Sequence, residues 1–188
     1  YCMAKNRLSR ELWLAAGFKA LTEQGPVALK AEPLARRLNT TKGSFYWHFQ
    51  DVPAFQQAML VLWEERAYSE IVAALEVEEN PVKRLRALGE IAARSAPEEF
   101  GGAGAEPAIR AWARENDAVA EAMDRIDGKR LEYLTGLLAE IGLTNEDLSR
   151  IIYGALLGMQ ELSTRDGANN NEAMGTLVDL ILALYEEE

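Results

Sequence analysis

Thr40-Thr41-Lys42-Gly43-Ser44-Phe45-Tyr46-Trp47-His48-Phe49 decides the fold. Thr41, Lys42 and Ser44 crowd the start of this stretch, where Thr41 suits an N-cap because its hydroxyl can accept a backbone N–H. Phe45 and Phe49 are one helical turn apart and predict an inward face. Tyr46, Trp47 and His48 each carry a hydrogen-bond donor on an aromatic body. Polar residues at a helix start can reach base edges in a major groove, while hydroxyl and ring N–H groups hold phosphates. The other reading of the aromatic trio is a packed cluster that stabilises a small domain.

Working outward, Asn39 tolerates the left-handed conformation of a tight turn. Before it, residues 31–38 predict a short helix with Pro33 in its first turn, where a missing N–H costs little. Residues 8–23 predict a first helix, stopped by Gly25-Pro26. A short helix, a four-residue turn and a second short helix over 42–49 form a helix-turn-helix. Asp51 predicts the cap of a long helix reaching about Glu76. Further helices are expected from Asn80-Pro81 to about Ser95, over 106–115, 117–141 and 174–185, and from a near capping box at Thr144 to about Thr164.

The fold class is therefore all-α: a three-helix, helix-turn-helix DNA-binding domain over residues 1–51, and a C-terminal helical bundle over 52–188. Alanine, leucine and glutamate dominate the 188 residues, and 48% are hydrophobic, enough for a sizeable core.

Net charge is −10, which taken alone argues against nucleic acid. Its distribution argues the other way: residues up to Phe55 carry 8 basic and 4 acidic side chains, the remainder 12 and 26. A basic head thus sits on an acidic body, and a Debye length of about 8 Å lets the head act locally. A single cysteine, Cys2, excludes an internal disulfide framework. The start lacks the apolar stretch of a signal peptide, and no run is long enough to span a membrane, so a cytoplasmic protein without membrane contact is expected. His48 is the only histidine, which leaves histidine-based metal sites and catalytic dyads almost no material. No cofactor, no metal and no enzymatic activity are expected.

The stretch closely resembles the tetracycline-repressor (TetR) family of bacterial regulators. The resemblance covers residues 8–55 and includes Ala16-Gly17, Leu34-Ala35 and the Thr-Lys-Gly-Ser-Phe-Tyr-Trp-His-Phe signature. It implies phosphate contacts from Tyr46 and His48, and approach to bases or backbone by Thr41, Lys42 and Ser44, with Thr40 and Trp47 also among the DNA-binding residues and Lys30 at the start of the second helix. Two positions depart from the family's habit: Lys30 replaces a usual Thr, and Val52 replaces a common phosphate-binding Lys. The run Pro107 to Arg114, with Asp127 and Arg130, is similar to one branch of the family's body. The resemblance further implies that residues 52–188 are a ligand-binding and dimerisation domain and that the protein is a repressor, with double-stranded operator DNA and an unknown small-molecule effector as partners.

Trp63, Tyr68, Trp112, Met123, Tyr133, Tyr153 and Met159 are candidate pocket residues, although aromatics and methionines at helical spacing are also ordinary core. Arg110, Asp127 and Arg130 read either as polar pocket groups or as a buried ion network. The last two helices carry apolar stripes wider than one face, with Gly154 and Gly158 four apart. A homodimer through a four-helix bundle is expected, with Ile152, Ala155, Met159, Leu177, Val178, Ile181 and Leu182 at its interface. Closure of the monomer core by the same helices is the alternative. A helical ligand-binding or protein-interaction module that no longer binds DNA is the rival for the whole chain.

Overall fold

A computed structural model describes residues 8–94 and 96–186, and the side chains up to Ala183. Cys2 lies outside them, as do the basic residues Lys5 and Arg7 counted with the head. The described residues form ten α-helices and no strand. The head holds α1 (Arg10–Gln24), α2 (Ala31–Arg37) and α3 (Lys42–Tyr46). The body holds α4 (Val52–Glu64), α5 (Glu70–Leu75), α6 (Pro81–Ala93), α7 (Ala105–Ala113), α8 (Asp117–Glu140), α9 (Asp147–Asp166) and α10 (Asn171–Glu186).

Side-chain caps set half of the ten helix starts. Ser9, Thr41, Asp51, Asn80 and Asn116 each accept a backbone N–H from the third residue onward, at 2.7–3.3 Å. Asn39 takes φ 49°, the left-handed turn expected between α2 and α3.

Several boundaries differ from expectation. The helix after Asp51 is not uniform: a five-residue π turn, Glu65–Ser69, joins α4 to α5. The third helix ends at Tyr46, so Trp47 to Phe49 leave it through a turn. The expected loop after Pro97 contains two short 3-10 turns, Glu98–Phe100 and Gly102–Gly104. The ninth helix starts at Asp147, because the Asn145 side chain and carbonyl take the N–H groups of Asp147 and Leu148, and Thr144 caps nothing.

Trp13, Phe45, Phe49 and Phe55 form the aromatic centre of the head. Phe45 meets Trp13 edge-on at 5.4 Å between centroids and lies 5.3 Å from both Phe49 and Phe55. Gly17 of α1 lets α4 come close, since a Cβ there would stand 2.6 Å from Phe55 Cζ and 2.7 Å from Met59 Sδ. One buried cluster runs from Trp13 through α4 to Met123 and Ile126, so the core continues across residues 51 and 52. A second cluster lies between α6, α8, α9 and α10. Gly89 on α6 provides its close approach, with Val178 Cγ2 at 2.8 Å from a Cβ placed there.

Candidate nucleic-acid interface and effector cavity

The helix-turn-helix presents its polar side outward. Lys30, Thr41, Lys42, Tyr46 and Trp47 are exposed, and Thr40, Ser44 and His48 are half-buried. Trp47 is 80% exposed. The expectation of an aromatic core and that of a contact surface therefore fall on different residues: Phe45 and Phe49 are buried, and the trio beside them faces out or lies at the edge. Thr41 has a structural task as well, because its Oγ1 accepts the Ser44 N–H at 3.3 Å. Lys30 occupies the N-cap position of α2 and makes no side-chain cap there. Val52 is the first residue of α4. Arg37 of α2 pairs with Glu23 of α1, bracing the two scaffold helices and leaving Lys42 outside that pair.

A cavity of about 720 Å³ occupies the body. Its walls come from the π turn, α5, α6, the 3-10 turns, α8, α9 and the start of α10. Of the seven expected pocket residues, Trp63, Tyr68, Tyr133 and Tyr153 line it. Trp112 and Met123 do not: both are buried in the core shared with the head. Met159 packs at the edge of the second cluster and does not line it either. Sequence reading missed Arg66, Phe100, Leu88 and the polar stretch Asn169 to Asn171, which line the cavity through a turn, a helix and a loop distant in the chain.

Arg110, Asp127 and Arg130 form an ion network, and Glu106 and Tyr153 complete it. Arg110 donates to Asp127 at 2.9 and 2.7 Å and to Glu106 at 2.8 Å. Arg130 donates to Glu106 at 2.7 and 3.0 Å. The Tyr153 hydroxyl accepts from both guanidinium groups, at 2.8 and 2.9 Å, and donates to Asp127 at 2.7 Å. Burial alone would raise the Glu106 carboxyl, but Arg130 and Arg110 reverse that and hold it below the usual range. Asp127 behaves alike: burial raises it, and hydrogen bonds from Arg110 and Tyr153 bring it down. The Tyr153 phenol is pushed up to about 12, first by burial. Glu106, Arg130 and Tyr153 also line the cavity, so the network is part of its wall.

The expected interface residues fall on both sides of their helices. Ile152, Val178, Ile181 and Leu182 are buried within the chain, as in the alternative in which these helices close the monomer core. They pack the second cluster because α10 lies against α6. Ala155, Met159 and Leu177 are half-buried. The outward apolar residues are instead Ile151 and Leu162 on α9 and Leu180 on α10, each more than half exposed. Gly154 and Gly158 lie between the first two with open space around them.

An exposed helix-turn-helix on an aromatic core is thus joined by one continuous helical path to a cavity-bearing helical body. Residues 14–51 match the family described as bacterial regulatory proteins, tetR family. The whole chain shares its fold with solved structures at low identity. A transcriptional regulator from Rhodococcus sp. Rha1 superposes with a TM-score of 0.77 at 17% identity, covering 96% of this chain and 97% of that one. SmeT, the repressor of the Stenotrophomonas maltophilia multidrug efflux pump SmeDEF, gives 0.67 at 20% identity, with 94% and 90% covered. Reduced E. coli NemR gives 0.64 at 18% identity, with 92% and 94% covered. No curated protein matches the sequence. Residues 14–51 thus carry the sequence of that family's head, and the chain has the fold of these solved regulators throughout its described residues. Among the described residues, no helix is long and apolar enough to cross a membrane.

Proposed function

We propose that two copies of this chain bind a near-palindromic double-stranded operator and repress transcription, and that a small molecule entering the body cavity releases them. The carrying observation is the path from cavity to reader: the π turn after α4 lines the cavity, and α4 packs through Phe55 on Phe45 of α3. A ligand can shift DNA affinity only by binding the two head arrangements differently, and the coupling is reciprocal. A 100-fold loss of DNA affinity corresponds to about 2.7 kcal/mol.

One short recognition helix reads few base pairs, so two related by a two-fold axis and about 34 Å apart are needed for a specific site. The outward stripe Ile151, Gly154, Gly158, Leu162 and Leu180 is the face assigned to this dimer, with Ala155, Met159 and Leu177 at its inner edge. Lys42 and Tyr46 are assigned to phosphates, Thr41 and Ser44 to the groove, and Trp47 and His48 to the backbone beside it; Thr40 and Lys30 flank these contacts. The expected division at residues 51 and 52 is kept as a functional one.

Gel-shift titration with DNA from upstream of the chain's own gene tests the reading. Binding is expected as a dimer, with Lys42→Ala reducing the salt slope by about one unit. Gly158→Arg is expected to yield a folded monomer by light scattering and to abolish the specific shift. A wild-type chain that binds a small molecule but shifts no DNA would favour the helical ligand-binding module instead.

A further inference from the structure

The cavity wall carries a cation with no counter-charge. Its lining arginines are Arg66, Arg94 and Arg130. Arg130 is matched by Glu106, and Arg94 pairs with Glu90. Arg66, in the π turn, makes no hydrogen bond or ion pair with any described residue, and its Nε is buried without a partner. Its guanidinium lies over the Phe100 ring, 3.7 Å from the centroid. An aromatic face attracts the cation but offers no lone pair to its N–H groups. Most of the remaining lining is apolar: Trp63, Ile71, Leu75, Leu88, Leu134 and Leu156.

We infer that the effector of this cavity is an amphipathic monoanion, an apolar body carrying one carboxylate that Arg66 accepts; this rests on the reading of the cavity as an effector site. One uncompensated guanidinium balances one negative charge. A dianion would leave a second charge among apolar walls, and a cation would face Arg66 directly. The position also couples to the head. Phe100, under the guanidinium, meets Phe18 of α1 edge-on at 6.0 Å. A carboxylate that turns Arg66 toward itself therefore changes a stack resting on the first helix of the DNA-binding domain.

Calorimetric titration of the full chain with decanoate, decanol and decylamine tests the inference. The net charge of −10 attracts cations and repels anions at long range, so unspecific adsorption would rank the amine first. The expected order is decanoate ahead of decanol by about tenfold or more, with decylamine last. Arg66→Gln should bring decanoate level with decanol, Arg66→Lys should keep part of the preference, and Arg94→Gln should keep all of it. Equal binding of acid and alcohol by the wild type, a preference for the amine, binding of none of the three, or an Arg66→Gln variant that still prefers the acid would each overturn it. The wild-type ranking needs no variant to fold. Operator gel shifts without ligand are read separately, so an indifferent cavity on a DNA-binding chain refutes this inference alone.

Discussion

Arg130 of α8 reaches the backbone carbonyl of Ala67 with its Nε at 3.3 Å and a terminal nitrogen at 3.2 Å. Ala67 lies inside the π turn, where the wider helical path leaves carbonyl groups open to side-chain donors. The same guanidinium holds Glu106 and Tyr153, so one side chain ties the turn between α4 and α5 to the ion network of α7, α8 and α9.

Arg130→Met should be strongly destabilising. It leaves Glu106, only 15% exposed, with Arg110 as its remaining counter-ion. Breaking a buried pair by removing one partner costs about 3–5 kcal/mol, and the surviving Arg110 places this case at the lower end. Urea unfolding should show a lower midpoint with an unchanged slope. Adding Glu106→Gln to the variant should recover part of the loss, a coupling that a double-mutant cycle measures.

Acid should weaken the fold through the same network. Glu106 and Asp127 both titrate below their ordinary values in the folded chain. Groups of that kind stabilise the fold fully above their unfolded values, about 4.3 and 3.9, and the contribution is lost as pH falls through the lower folded values. Stability should therefore be flat across this network's range from about pH 6 upward and fall below about pH 4. Glu106→Gln should flatten the acid limb of a midpoint-against-pH plot.

Gly17→Ala should strain the joint between head and body. The added methyl would stand 2.6 Å from Phe55 Cζ, and Phe55 is fully buried against Phe45 and Phe49. Overpacking of this size costs about 1–3 kcal/mol. Thermal melting should fall by about 2–4 °C for each kcal/mol.

Thr41 should reveal two roles that separate by substitution. Its hydroxyl caps α3, so Thr41→Ala should cost about 1 kcal/mol and weaken operator binding. Thr41→Ser keeps the cap, so it should melt like the wild type. Asp51→Ala removes the cap of α4 at similar cost in stability, but leaves the salt slope of DNA binding unchanged.

The head was legible because its signals are local. Asn39, Thr41 and Asp51 act on backbone groups within three residues, and the structure places each where its chemistry demands. The pocket was half legible. Tyr68, Tyr133 and Tyr153 line it, while Trp112 and Met123 fill the shared core, since helical spacing reports burial and not the neighbour that causes it. Arg66 and Phe100 carried no periodic signal, being set by a π turn and a 3-10 turn. The two sides of the last helices were illegible for a similar reason. A stripe wider than one face serves two sides of a helix at once: Ile152 turns inward and Ile151 outward, and their order along the chain does not say which.

The π turn also fixes a phase. Each residue advances an α-helix by about 100°, so a residue added to regular winding would turn everything after it, whereas a wider turn takes up that residue and keeps its two ends in phase. The side of α4 that meets the head and the side of α5 that meets the cavity are thereby held in register on one continuous rod. Deleting a single residue from Glu65–Ser69 would restore the regular winding with that register kept, whereas the same deletion in the regular part of α4 would swing the head by about 100° against the body, a realignment that no exchange of side chains can produce.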